Sequence, residues 1–341
     1  MATFVPGQEL GRAFYGEVVR PLLGATPHGA ALLGWGSDVL GYDTQRSVDH
    51  GWGPRLLIFV DDDAVLAPRE AVDASLSEMF RGWPVRFGRD EVLVSSHVTV
   101  TALRPWLLDQ LGVDALSALS TRDWLLTPQQ RILGVVAGAI YADDSGQLTG
   151  VRRRLAWYPD DVWRWLVACQ WRRIEQEEAF VQRTAEVGDD LGSHVVAGRL
   201  VRDMMRMALL LDRRYAPYSK WLGTAFAAVQ HDDGLASQLS AVLSAGGTSE
   251  REEALAVALT TLARRHNEAR ISDEVDPTTR PFHSRPAQVL LAHRLVDACL
   301  AGVNDPMLRR LPLIGSIDQF VDSTDVLSDP MLSRRLAVIY E

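Results

Sequence analysis

Two small residues and an acid at a set distance are where this sequence could do chemistry. Leu33-Gly34-Trp35-Gly36-Ser37 ends a short apolar run, and Asp49-His50-Gly51 follows after eleven residues, ahead of the apolar run 55–60. A glycine at such a turn lets the backbone come close to a phosphate, while Ser37 and the turn amides can donate to its oxygens. Carboxylates at i and i+2 of the next strand would point to one face and hold Mg²⁺. Asp38 and Asp43 are further acids within reach in sequence. The same residues also suit a plainer role, with Gly34, Gly36, Gly41 and Gly51 as turn residues and Asp38, Asp43 and Asp49 capping turns.

The elements that must carry these residues fall into two parts. Apolar residues at helical spacing (Leu10, Phe14, Val18 or Val19, Leu22) predict a helix over 8–23. Short apolar runs predict strands at 30–33, 55–60, 85–87 and 91–101, the last beginning at Glu91, with Val92, Val94, Val98 and Val100 on one parity. From Thr127 the signals are helical. Thr127-Pro128 is a cap and a first-turn proline, opening a helix to about Tyr141. Pro159-Asp160-Asp161 opens another that runs through Phe180, and further helices are expected over 191–214, 219–230, 235–244, 250–269 and 285–301. The prediction is an α+β chain, with a small mixed β-sheet in an N-terminal domain over 1–120 and a large all-helical domain over 121–341.

Bulk properties exclude several classes. At 47% hydrophobic residues the chain can bury a core and is not disordered. A net charge of -9 disfavours a nucleic-acid backbone as partner, because that binding needs Lys and Arg to neutralise phosphates. Cys169 and Cys299 lie inside apolar helical patterns and read as buried thiols. The segment MATFVPGQEL has no basic region followed by an apolar run, and no apolar stretch reaches the length of a membrane span. The expectation is a cytoplasmic protein without a membrane partner.

The spacing of Gly36-Ser37 and Asp49 resembles the DNA polymerase beta-like nucleotidyltransferase superfamily. More closely, the chain is similar to the domain-of-unknown-function family 4037, regarded as nucleotidyltransferase-like. The residues that carry this likeness are Gly36-Ser37-Asp38-Val39-Leu40-Gly41-Tyr42-Asp43, Ser47-Val48-Asp49-His50-Gly51-Trp52-Gly53-Pro54, Gly188-Asp189-Asp190-Leu191-Gly192-Ser193, Tyr215-Ala216-Pro217-Tyr218-Ser219-Lys220-Trp221 and Gly315-Ser316-Ile317-Asp318-Gln319-Phe320. The resemblance implies a nucleoside triphosphate held with Mg²⁺ at Gly36 and Ser37, Asp49 as metal ligand, and an unknown small-molecule acceptor. One departure matters. Where the family reads Asp-His-Asp, this sequence reads Asp49-His50-Gly51, so the second metal-binding acid is replaced by glycine. Asp38 or Asp43 would have to take its place.

In the helical half, Lys220 follows a proline-containing segment at a helix start, where it could contact phosphates as a point charge. The alternative is a lysine extending from a packed aromatic cluster. Arg199, Arg202 and Arg206 lie at i, i+3 and i+7, and phosphates would partner them, Arg202 first; Asp203, Asp189 and Glu178 would serve equally. Glu178, in the run Glu175, Glu177, Glu178, is the candidate base for an acceptor hydroxyl, against a solvated helix face. His266 and His283 sit beside helix ends, as caps or as lining of an acceptor pocket. Three functions stay open: a nucleotidyltransferase, a degenerate nucleotide- or metabolite-binding pseudoenzyme, and an interaction protein with a relic site.

Overall fold

The first helix shows how tightly this chain folds on local pattern. In the computed structural model, which describes residues 3–49, 51–89, 92–229, 231–285 and 287–341, helix α1 (Gly7–Phe14) continues through a π-helical turn, Tyr15–Val19, into Arg20–Leu23. Leu10, Phe14, Val19 and Leu23 are all buried, so the expected spacing holds. The π turn adds one residue to a turn of the helix and swings Tyr15 inward. Its hydroxyl lies 2.9 Å from His28 Nε2.

The chain divides into two compact units. The first comprises Met1–Asp123, Gln130–Ala156 and Thr324–Leu336. Its centre is a four-stranded mixed sheet of β1 (Gly29–Leu32), β2 (Leu56–Phe59), β3 (Val98–Thr101) and β4 (Ala139–Asp143), in the order β3-β2-β1-β4. β1 is antiparallel to both neighbours, and β2 and β3 are parallel. All four residues of β1 are buried, which is why Ala30 to Leu33 reads as a continuous apolar run rather than an alternating one. After β1 comes the one-turn helix α2 (Ser37–Leu40).

Two expectations fail here. The helix expected from Thr127 to about Tyr141 is two elements, α3 (Gln129–Val136) and β4. The reason is Gly138, whose φ of 70° stops the helix and whose hypothetical Cβ would lie 2.1 Å from the Leu32 carbonyl oxygen. Only glycine lets β4 approach β1 so closely. The strand expected over 91–101 is likewise two strands, Val92–Ser96 and β3, separated at His97. His97 turns its ring onto Phe87, with centroids 3.9 Å apart. Val98 and Val100 are buried as their parity requires. Glu91, and the side chains of Val92 and Val94, lie outside the described residues.

The second unit comprises Trp124–Gln129, Trp157–Ser323 and Ala337–Glu341 and is mainly helical. Among its helices are α4 (Asp160–Glu177), α5 (Phe180–Glu186), α6 (Asp190–Leu211), α7 (Ser219–Ala227), α8 (Thr248–Glu268) and α9 (His293–Ala301). Phe180 opens α5 rather than ending α4. The predicted helix over 285–301 begins only at His293, because Arg280–Pro281 and Gln288–Val289 pair as a short antiparallel ribbon and Leu291 takes a left-handed φ of 54°. Gln230 and Pro286, in two of the predicted helices, lie outside the described residues. Cys169 and Cys299 are free thiols, fully buried, and burial pushes both well above the usual thiol range. Among the described residues no helix is long and apolar enough to cross a membrane.

Candidate functional site

The Gly-Ser turn begins where β1 ends. Gly34 and Gly36 have φ of 92° and 136°, conformations that L side chains rarely adopt. They reverse the chain so that Ser37 opens α2 and Asp38 turns inward, 3% exposed. Trp35 stays at the surface, with the Arg131 guanidinium carbon 5.2 Å from its ring centroid. Arg131 is itself held by the Gln110 and Asp109 carbonyls at 2.6 and 2.7 Å.

What fills the space beside Gly36 is an ion pair. Arg55 Nε donates to Asp38 Oδ2 at 2.7 Å, and Arg55 Nη2 donates to Asp38 Oδ1 at 2.6 Å. Nη2 also donates to the Trp35 carbonyl. A Cβ on Gly36 would sit 2.2 Å from Asp38 Oδ1 and 2.5 Å from Arg55 Nη2. The glycine is therefore required by the Asp38–Arg55 pair as well as by its φ. Sequence reasoning missed Arg55. Its signal was a charged residue heading the apolar run 55–60, which needs a partner if the fold draws it inside.

The other acids nearby have different surroundings. Asp43 Oδ2 accepts from the Gly7 amide at 2.6 Å and from Trp52 Nε1 at 2.9 Å, tying α1 to the loop before β2. Asp49 ends a 3-10 turn, Gln45–Asp49, and is exposed, with no hydrogen-bond partner among the described residues. It does not lie on β2, which starts at Leu56, so the same-face argument for strand positions i and i+2 does not apply to it. Gly51, with φ of 62°, and Pro54, which has no N–H to give to a ladder, keep this stretch out of the sheet. His50, between Asp49 and Gly51, lies outside the described residues. Among the described residues no group of three His, Cys, Asp or Glu is placed to hold a metal ion.

Gly36, Ser37, Asp38 and Asp49 belong to the first unit, and Glu178, Arg202 and Lys220 to the second. Within the second unit each of these has its own setting. Glu178 is 5% exposed, and its carboxylate accepts from the Leu290 amide at 2.7 Å and the Ala292 amide at 3.2 Å, clasping the left-handed turn at Leu291. Burial, against those hydrogen bonds, pushes it up to about 7. Lys220 is exposed, its Nζ 5.0 Å from the centroid of the Trp221 ring. The arginine stripe finds partners inside the unit, though not those the sequence offered: Arg199 pairs with Glu177 at 2.9 Å and Arg202 with Asp322 at 3.0 Å, while Arg206 donates to the Asp318 carbonyl at 2.7 Å. The Asp318 carboxyl, pushed up to about 6 chiefly by desolvation, accepts from the Gln129 amide at 3.0 Å.

Both histidines singled out in the sequence are accounted for. His266 is buried between Trp171, whose Nε1 donates to its Nδ1 at 3.1 Å, and Ser272 Oγ, 2.8 Å from its Nε2. Burial pushes it down to about 4. His283, at φ 56°, lies after the first strand of the short ribbon, its ring centroid 4.5 Å from that of Phe282. The segment 188–193 starts α6, with Asp189 Oδ1 accepting from the Gly192 amide at 2.8 Å. The fully buried Arg251 donates there to Ser193 Oγ at 2.6 Å and reaches Asp190 at 3.3 Å.

Residues 124–222 match a family described as Domain of unknown function (DUF4037), and the chain resembles that family. No curated protein matches the chain. Among solved structures the chain is similar to a nucleotidyltransferase-like protein from Exiguobacterium sibiricum 255-15, with 14% identity and a TM-score of 0.34, over 89% of this chain and 91% of that chain.

Proposed function

We propose that this chain is a nucleotidyltransferase-like binding protein without transfer chemistry, holding a nucleotide or another phosphate-bearing metabolite at the Gly36-Ser37 turn. The observation that carries this reading is the Asp38–Arg55 pair. A two-ion transfer site needs at least two carboxylates that share the metals, so that one clamp spans the attacking and the leaving oxygen. Of the acids near the turn, Asp38 is spent on Arg55, and Asp43 on an amide and an indole. Gly51 supplies none. Of Asp38, Asp43 and Asp49, only Asp49 has no hydrogen-bond partner among the described residues, and this donor set does not fit a bridged pair of Mg²⁺ ions. What the turn retains is the means of binding: Ser37, the turn amides and a guanidinium.

The reading is tested by the thermal midpoint of the protein with ATP, GTP, CTP and UTP, together with a pyrophosphate-release assay on the same samples. A ligand that binds the native state raises the midpoint, by about 2.7 kcal/mol of stability at a hundredfold excess over Kd. A midpoint shift without pyrophosphate release supports the proposal. No shift with any triphosphate overturns it and leaves a protein whose turn is a structural relic.

One observation favours a second reading, a transferase working with a single ion. The Asp49 carboxylate is exposed and without a hydrogen-bond partner among the described residues, as a ligand awaiting a metal-bound triphosphate would be. Mg²⁺-dependent pyrophosphate release that disappears in Asp49→Ala would establish it in place of the first.

A further inference from the structure

We infer that Arg55 is the resident cation of the Gly36-Ser37 turn, so that a phosphate group binds there through its guanidinium and without a divalent metal. The inference deepens the binding reading above and rests on it.

The geometry separates the three nitrogens of Arg55. Nε and Nη2 form the edge that grips Asp38, and the second N–H of Nη2 goes to the Trp35 carbonyl. Nη1 makes no hydrogen bond among the described residues, and it is not a buried unsatisfied atom. The pair is also oriented. Asp38 is the inner partner at 4% side-chain exposure and Arg55 the outer one at 19%, so the positive end of the pair is the one that meets solvent. Two N–H groups of a fixed guanidinium thus stand open beside the turn. Charge-assisted hydrogen bonds of this kind to phosphate oxygens are among the stronger polar contacts a protein makes.

The same geometry opposes a metal. An ion on Asp38 would have to displace Arg55 from a carboxylate that is 4% exposed, and breaking a pair whose acid is buried is unfavourable. The Asp38 carboxylate fixes the guanidinium beside Gly36, so little side-chain freedom is lost when phosphate arrives. Arg55 and Mg²⁺ are alternatives at this turn, and the chain carries Arg55.

The test is titration calorimetry with inorganic tripolyphosphate and with ATP, each in EDTA and in Mg²⁺, on the parent protein and on the double variant Asp38→Asn/Arg55→Gln. The double variant removes both charges together and keeps side chains of similar size. Arg55→Gln alone would strand a buried carboxylate and risk unfolding. The expected result is binding in EDTA at least as tight as in Mg²⁺, weakened roughly ten- to a hundredfold in the double variant. Binding by the parent only when Mg²⁺ is present overturns the inference and leaves the binding reading intact, and this arm needs no variant to fold. Equal binding in EDTA by parent and double variant overturns it as well. Absence of binding by either probe in either condition overturns both the inference and the reading beneath it.

Discussion

The Arg55 guanidinium grips both carboxylate oxygens of Asp38, at 2.7 and 2.6 Å, in the space that a Cβ on Gly36 would take. The turn that looks built for phosphate in the sequence is thus shaped in the first place by a contact the protein makes with itself. A glycine beside a phosphate and a glycine beside a guanidinium are the same letter. The consequences differ, and they are measurable.

Gly36→Ala is expected to cost roughly 3 kcal/mol, from overpacking against the ion pair together with a φ of 136° that alanine resists. In an Asp38→Ala/Arg55→Ala background the clash disappears and only the backbone strain, about 1–2 kcal/mol, remains. Urea denaturation of the four proteins reads this coupling directly. An equal cost in both backgrounds would mean that the pair is not what the glycine accommodates.

Gly51→Asp restores the missing acid, but at a position with φ of 62°. Aspartate tolerates that conformation at about 1 kcal/mol, so the variant should fold with a small loss of stability. Because Asp38 stays tied to Arg55, calorimetric titration should detect no tight Mg²⁺ binding. Tight binding in this variant would show that Asp49 and residue 51 suffice.

Glu178 is pushed from 4.5 up to about 7, chiefly by burial. The folded protein therefore binds this proton more tightly than the unfolded chain does. Its contribution is fully present below pH of about 4.5 and is lost as the pH rises towards 7, by about 3 kcal/mol in all. The change in stability between those two pH values should be flatter in Glu178→Gln by that amount, whatever the offset of the curve. An identical pH dependence in both proteins would mean that the Glu178 carboxyl titrates in the fold as it does in the unfolded chain.

His266 acts in the opposite sense. Burial pushes it from 6.5 down to about 4, so it is neutral in the fold while the unfolded chain takes up a proton. Stability falls as the pH drops from 6.5 towards 4, again by about 3 kcal/mol. His266→Gln should remove that acid loss relative to the parent. A parent that loses no more than the variant over this range would contradict the buried, neutral ring between Trp171 and Ser272.

Much of this architecture was legible in the residues. The start of α4 and the spans of α6 and the helix Leu235–Ser244 followed from the residues, and β1 and β2 from short apolar runs bounded by glycines and acids. These are local properties, because the period of burial along a helix or strand is written in consecutive residues. The breaks were harder. Gly138 reads as an ordinary helix glycine until the Leu32 carbonyl arrives against it from another strand. His97 reads as one more strand residue until its ring stacks on Phe87.

The candidate site divides the same way. Gly36, Ser37 and Asp49 could be named from spacing alone, since residue type and distance along the chain are all that such a motif requires. Whether an acid is free could not. Asp38 finds Arg55 seventeen positions away, and Glu178 finds the Leu290 amide one hundred and twelve positions away. A charge is chemically available only if no other group of the chain has already neutralised or desolvated it, and that depends on which distant residues folding brings alongside. Consecutive residues carry the burial periods and the list of chemically able side chains, whereas the breaks in the elements and the occupancy of each charge depend on the distant groups that folding brings alongside.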